Sequence, residues 1–190
     1  MDADVLRNIS LVTAAAFVLI AAAVALYFWH RSGGLTRWQI RRIIDAISHD
    51  RLDDVVIPDG LDGEVQLQHL LLTSRGILVL DIKDVQGAIF AGNNMQNWTV
   101  MNGAQRFTIP NPQEATRRRV GAVKDLAGTV PVIGRIAFTP NGEFAKGVPE
   151  GVTMLGALRS EFDEARQASQ QSVDAYYQQW VKLRQLAVAA

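Results

Sequence analysis

Gln68, Asp81 and Lys83 are polar residues set in two strongly apolar runs, and their spacing brings them together. Val65 to Leu72 and Ile77 to Lys83 flank Thr73-Ser74-Arg75-Gly76, a turn signal between two strand-like segments. If Thr73 faces Gly76 across a two-residue turn, Leu72 faces Ile77 and Leu70 faces Val79. Gln68 then faces Asp81, and Gln66 faces Lys83. Strand side chains alternate with period two, so these eight residues share one face. Leu67, Leu71, Leu80 and Ile82 are assigned to the other. A carboxylate, an ammonium and two amides therefore converge at the polar end of a hydrophobic sheet. The plain reading of Asp81 and Lys83 is a partly buried ion pair; the sharper one is a working site. His69 is assigned to the opposite face, as a structural histidine.

The hairpin needs a frame, and the rest of the chain supplies its parts. Leu35 to Ser48 carries apolar residues near helical spacing, with Arg37, Arg41 and Arg42 on the wet side. His49 to Asp54 reads as polar connection. Val55 to Ile57 is a short strand ended by Pro58-Asp59-Gly60. Ala88 to Ala91 is another strand, and Trp98–Met101 with Arg106–Ile109 form a second hairpin around Asn102-Gly103. Asn111-Pro112-Gln113-Glu114 opens a helix. Asn111 can cap it, Pro112 suits its first position, and Glu114 can reach back as in a capping box. That helix runs to about Leu126 and ends near Gly128. Val130–Phe138 and Gly151–Leu155 are strands, and residues 158–188 form a Gln-rich C-terminal helix. The fold class is mixed α/β.

Before all of this stands Ile9 to Trp29, an uncharged apolar run long enough to cross a bilayer as a helix. Tyr27 and Trp29 suit the interface, and His30, Arg31, Arg37, Arg41 and Arg42 follow. The positive-inside bias puts the N-terminus outside and the remainder in the cytoplasm of a bacterial-type plasma membrane. A cleaved signal peptide using Ala23-Val24-Ala25 is the alternative; the acidic N-terminus and the long run argue against it. The predicted organisation is a transmembrane helix at 9–29, a domain at 32–155 and the C-terminal helix. The 19 basic residues equal the 19 acidic ones, so no global field draws in nucleic acid. No cysteine is present, which excludes disulfides, thiolate zinc sites and a cysteine nucleophile.

The hairpin, the later Trp98 and the Asn111-Pro112 helix start occur in the order characteristic of the nuclease-related domain (NERD) family, which the chain resembles over about residues 55–127. Leu67-Gln68-His69 stands where that family has Ile-Asp-His, and Asp81-Ile82-Lys83 stands for Glu-x-Lys. The resemblance implies a restriction-endonuclease-like mixed sheet flanked by helices. It also implies catalytic roles for Gln68, Asp81 and Lys83, with Asp81 as a ligand of Mg2+. In such sites two acids hold the cation and the lysine helps position the attacking water. This sequence departs where it matters, because the first acid is Gln68, a neutral and poorer magnesium ligand. In the first helix Asp45 is the only acid.

The expectation is therefore a membrane-anchored domain that engages nucleic acid with impaired catalysis, in which Gln68→Asp would improve metal binding. The alternative is a catalytically inert, membrane-tethered structural or protein-interaction module. Arg117-Arg118-Arg119 reads as a solvated helix surface, since three adjacent residues cannot share one face. Arg37, Arg41 and Arg42 suit the headgroups of the lipid bilayer. The aromatics of the last helix pack on the domain or mediate self-association.

Overall fold

The computed structural model describes residues 36–60, 63–166 and 170–190. The apolar run 9–29 lies outside the described residues. Two compact units divide the chain, Met1–Gly34 and Leu35–Ala190, and all described residues belong to the second. Among them, no helix is long and apolar enough to cross a membrane.

Helix α1, Arg37–Ile47, starts at Thr36, whose hydroxyl accepts from the Gln39 amide while the Gln39 side chain accepts from the Thr36 amide. This reciprocal capping box satisfies two donors that the first turn leaves free. β1 (Asp50–Pro58), β2 (Glu64–Thr73) and β3 (Gly76–Lys83) form an antiparallel meander. The β2–β3 turn has the predicted register, with Thr73 opposite Gly76 and Leu72 opposite Ile77. Gly76 is required there. Its φ is +118°, and a Cβ would sit 2.2 Å from the Pro131 carbonyl oxygen.

β4 (Gly87–Phe90), β5 (Asn97–Asn102) and β6 (Gln105–Pro110) build a second sheet, joined by β8 (Gly142–Phe144) in the order β6-β5-β4-β8. α2, Pro112–Ala127, then crosses back to β7 (Val132–Phe138), which pairs parallel to β3. β9 (Val152–Met154) extends that sheet, and β10 (Val188–Ala189) pairs with β1 at its far edge. The order of the larger sheet is β10-β1-β2-β3-β7-β9. α3 (Ala157–Arg166) and α4 (Gln170–Leu186) complete the chain. This mixed α/β architecture, two mixed sheets with helices, fits a restriction-endonuclease-like fold.

The layers follow from which residues each strand buries. Leu70, Leu72, Ile77 and Val79 pack under Ala122 and Val123 of α2 and Trp180 and Leu183 of α4. Leu71, Leu78 and Leu80 pack under Ile44 and Ile47 of α1 and Leu158 and Phe162 of α3. Buried Trp98 and Phe138, with partly buried Phe144, form an aromatic cluster that packs the second sheet against the end of β7.

Three expectations need correction. The segment before Val55 is strand from Asp50 onward, because its polar residues lie at the sheet margin while the backbone pairs with β2. The stretch 158–188 is two helices followed by a short strand. The α2 cap is Asn111 alone: its side-chain oxygen accepts from the Gln113 amide at 2.9 Å, and its amide donates to Gln113 Oε1 at 3.1 Å. Glu114 is exposed and closes no capping box.

Candidate functional site

The regular alternation on which the hairpin site depends fails at one pair of residues. Along β1 and β2, Asp53 pairs with His69 and Val55 with Leu67, but Asp54 and Gln68 between them do not pair. Asp54 has φ +49°, a left-handed conformation unusual for a residue with a Cβ. Both strands rotate there. Leu52 and Val55 join one core cluster, and so do Leu67 and Leu70, although each pair is three residues apart. Leu67 therefore lies on the same face as Leu70, contrary to the period-two assignment.

Gln68 turns the other way, to the α1 side. It lines a cavity of about 550 Å³ with Arg37, Ile40, Arg41, Ile44 and His69. Its Oε1 accepts the Ile82 amide N–H at 2.6 Å. The β2–β3 pairing ends at His69 and Leu80, so this side chain supplies the acceptor that a paired backbone would otherwise provide. Gln68 and Asp81 are thus not facing neighbours. A carboxylate at position 68 would lie in the cavity that Arg37, Arg41, Asp53 and Asp54 also line. His69 also faces this cavity, and its Nδ1 lies 2.7 Å from Asp53 Oδ1.

Asp81 and Lys83 do share a face, the one under α2. Asp81 is only 2% exposed. Thr116 Oγ1 donates to its Oδ2 at 2.8 Å, and Arg119 Nη1 donates to the same oxygen at 2.8 Å. Arg119 Nε donates to the Gln66 carbonyl at 2.8 Å. The guanidinium therefore spans the gap where β2 and β3 part. The ion pair of Asp81 is with Arg119, and among the described residues Lys83 has no acidic partner. Arg119 is not part of a solvated surface, whereas Arg117 and Arg118 are exposed. Consecutive helix residues are about 100° apart, so one of three arginines can turn inward while its neighbours stay wet. That inward position follows from Thr116 and Arg119 being i and i+3 on one face.

Lys83 and Arg119 line one recess of about 340 Å³ with Asn111, Pro112, Ala115 and Phe138. Two cationic side chains beside the start of a helix can hold an anion by charge and by directed N–H groups. The same surroundings do not fit a magnesium ion. Asp81 offers one carboxylate, and its Oδ2 already accepts two hydrogen bonds. Among the described residues no three His, Cys, Asp or Glu side chains cluster to hold a metal. Magnesium, which gives up its waters reluctantly, finds little to replace them. Reading the hairpin alone misses Thr116 and Arg119; the available signal is their spacing after the Asn111-Pro112 helix start.

A sequence model of the nuclease-related domain matches residues 37–139, more than half of the chain. No curated protein and no solved structure matches it.

Proposed function

Because the chain belongs to the nuclease-related domain family, we propose that it is a membrane-anchored domain that binds nucleic acid at the cytoplasmic face and does not cleave it with a metal ion. The observation that carries this reading is the Arg119–Asp81 bond. The Arg119 guanidinium bonds Asp81 Oδ2 and offsets the negative charge that would attract a metal. What remains unpaired is the charge of Lys83. Lys83 and Arg119 beside Asn111 form a recess suited to a backbone phosphate. Arg119 holds the Asp81 carboxylate in place, and Lys83 is left to meet the ligand.

The test is a cleavage and binding assay on the full chain in detergent micelles. DNA and RNA should bind, with affinity falling as salt rises, and no magnesium-dependent cleavage should appear. Lys83→Glu should weaken binding by about tenfold, the scale of one lost and reversed phosphate contact. Robust cleavage that disappears in Asp81→Ala would overturn the reading.

The anchor in this proposal is the run from Ile9 to Trp29, with the N-terminus outside and the domain in the cytoplasm. A reporter enzyme fused to the C-terminus is expected to be active only in its cytoplasmic form. Activity of a periplasm-dependent reporter would reverse the orientation and put chromosomal DNA out of reach.

A further inference from the structure

A cavity of about 880 Å³ lies apart from the recess at Lys83. It runs along the open edge of β7, between α2 and α3. β9 pairs with β7 only from Ile136 to Phe138, and its line ends where the Ile136 N–H donates to the Gly151 carbonyl at 3.0 Å. Among the described residues no strand covers the outer edge of Val132–Arg135, and all four are partly exposed. N–H and C=O groups alternate in direction along a strand, so Val132 and Gly134 point their backbone groups outward on the same side as Ile136. The Gly134 carbonyl accepts from Arg135 Nη1 at 2.8 Å, a side-chain contact that a ligand N–H would have to displace.

The walls carry a second observation. Two glycines line this cavity, and they differ. Gly134 is needed for packing, since a Cβ would sit 2.6 Å from Val120 Cγ2 and bar the close approach of α2. Gly121, in the middle of α2, is not: a Cβ there would meet nothing within 4 Å. A glycine inside a helix is destabilising relative to alanine, so a position with room for a side chain is an unexpected place for one. Its effect is to keep the α2 wall of the groove bare. Arg117 and Lys124 flank it, both exposed and without an acidic partner among the described residues. On the opposite wall Glu161 is already paired with Arg135 at 2.6 Å. Glu150, exposed just before β9, lines the groove as well, so its free positive charge is confined to the α2 wall.

We propose that this groove is a docking site for an extended acidic peptide, which adds to the open β7 edge in line with β9. Backbone hydrogen bonds to Val132 and Gly134 supply the register, and Arg117 and Lys124 select acidic side chains. Four residues of open edge correspond to about 13 Å of strand. The inference is independent of the nucleic-acid reading, which concerns the far side of α2.

The experiment uses the full chain in detergent micelles and a fluorescein-labelled peptide of alternating Glu and Val, read by anisotropy. The peptide should bind, its Lys/Val counterpart should not, and a version N-methylated at alternate amides should lose binding. Gly121→Trp fills the groove and should abolish binding, while Gly121→Ala should keep it and raise Tm. Arg117→Glu combined with Lys124→Glu, both at exposed positions, should weaken binding by at least about tenfold. No binding to wild type, or equal binding by Gly121→Trp and wild type with the fold intact, would overturn the proposal. So would undiminished binding of the N-methylated peptide. Single-stranded oligo-dT that binds wild type and is lost in Gly121→Trp, in place of the peptide, would also overturn it and mark the groove as a nucleic-acid channel.

Discussion

Arg119→Ala is expected to destabilise the domain by about 3–5 kcal/mol, the scale of leaving a buried charge without its partner. Asp81 is almost fully enclosed, and after the substitution only Thr116, among the described residues, would bond to it. The Gln66 carbonyl would lose its donor as well. Chemical denaturation of the domain checks the figure. The double variant Arg119→Ala/Asp81→Asn should recover a substantial part of the loss, because the buried group is then neutral. Excess magnesium should not rescue the single variant, since one carboxylate is too few ligands. A loss below about 1 kcal/mol, the range of an exposed ion pair, would mean that Arg119 is not the group that neutralises Asp81.

Trp180→Ala is expected to cost a similar amount, about 3–5 kcal/mol, by leaving a cavity in the core beneath α4. The Trp180 ring is fully buried against β1 and β2, and its Nε1 donates to Asp50 Oδ2 at 2.8 Å. Arg184 also donates to that oxygen, at 2.9 Å, so Asp50 keeps one partner when the indole is removed. The cost should therefore come mainly from lost packing. Trp180→Phe should fall well short of the alanine variant, because most of the ring volume remains. An unchanged denaturation midpoint in Trp180→Ala would show that α4 does not help hold the core. Its docking surface and the β10–β1 pairing make the C-terminal segment part of the same fold as the hairpin. Of the two roles expected for its aromatics, Trp180 takes the packing role, while Tyr177 is half exposed.

Much of this architecture is legible from local rules. The Thr73–Gly76 turn, the strands beside it, the second hairpin and the Asn111-Pro112 start of α2 are all set by short-range chemistry. Turn geometry, proline at a first helical turn and the apolar period act within a few residues of one another. The order of these elements also carries the family. The face of Asp81 and Lys83 was readable too, since the alternation of β3 is undisturbed.

Tertiary structure alone decided the rest. The period-two rule holds only while both neighbours stay in register, and at Asp54 and Gln68 it breaks. The break comes from a left-handed backbone at Asp54 and from the separation of β2 and β3 beyond His69 and Leu80, two events that arise between strands. It sends Gln68 to α1 and opens the gap that Arg119 fills. Arg119 is 38 positions from Asp81 in the chain, and nothing local to either residue announces the other. Which arginine of three turns inward depends on the rotation of α2 about its axis, which packing on β7 sets, with Gly134 leaving room for Val120 and Thr116. The hairpin sequence determined where an acid and a lysine would stand; the packing of one helix across it determined that the acid would meet a guanidinium.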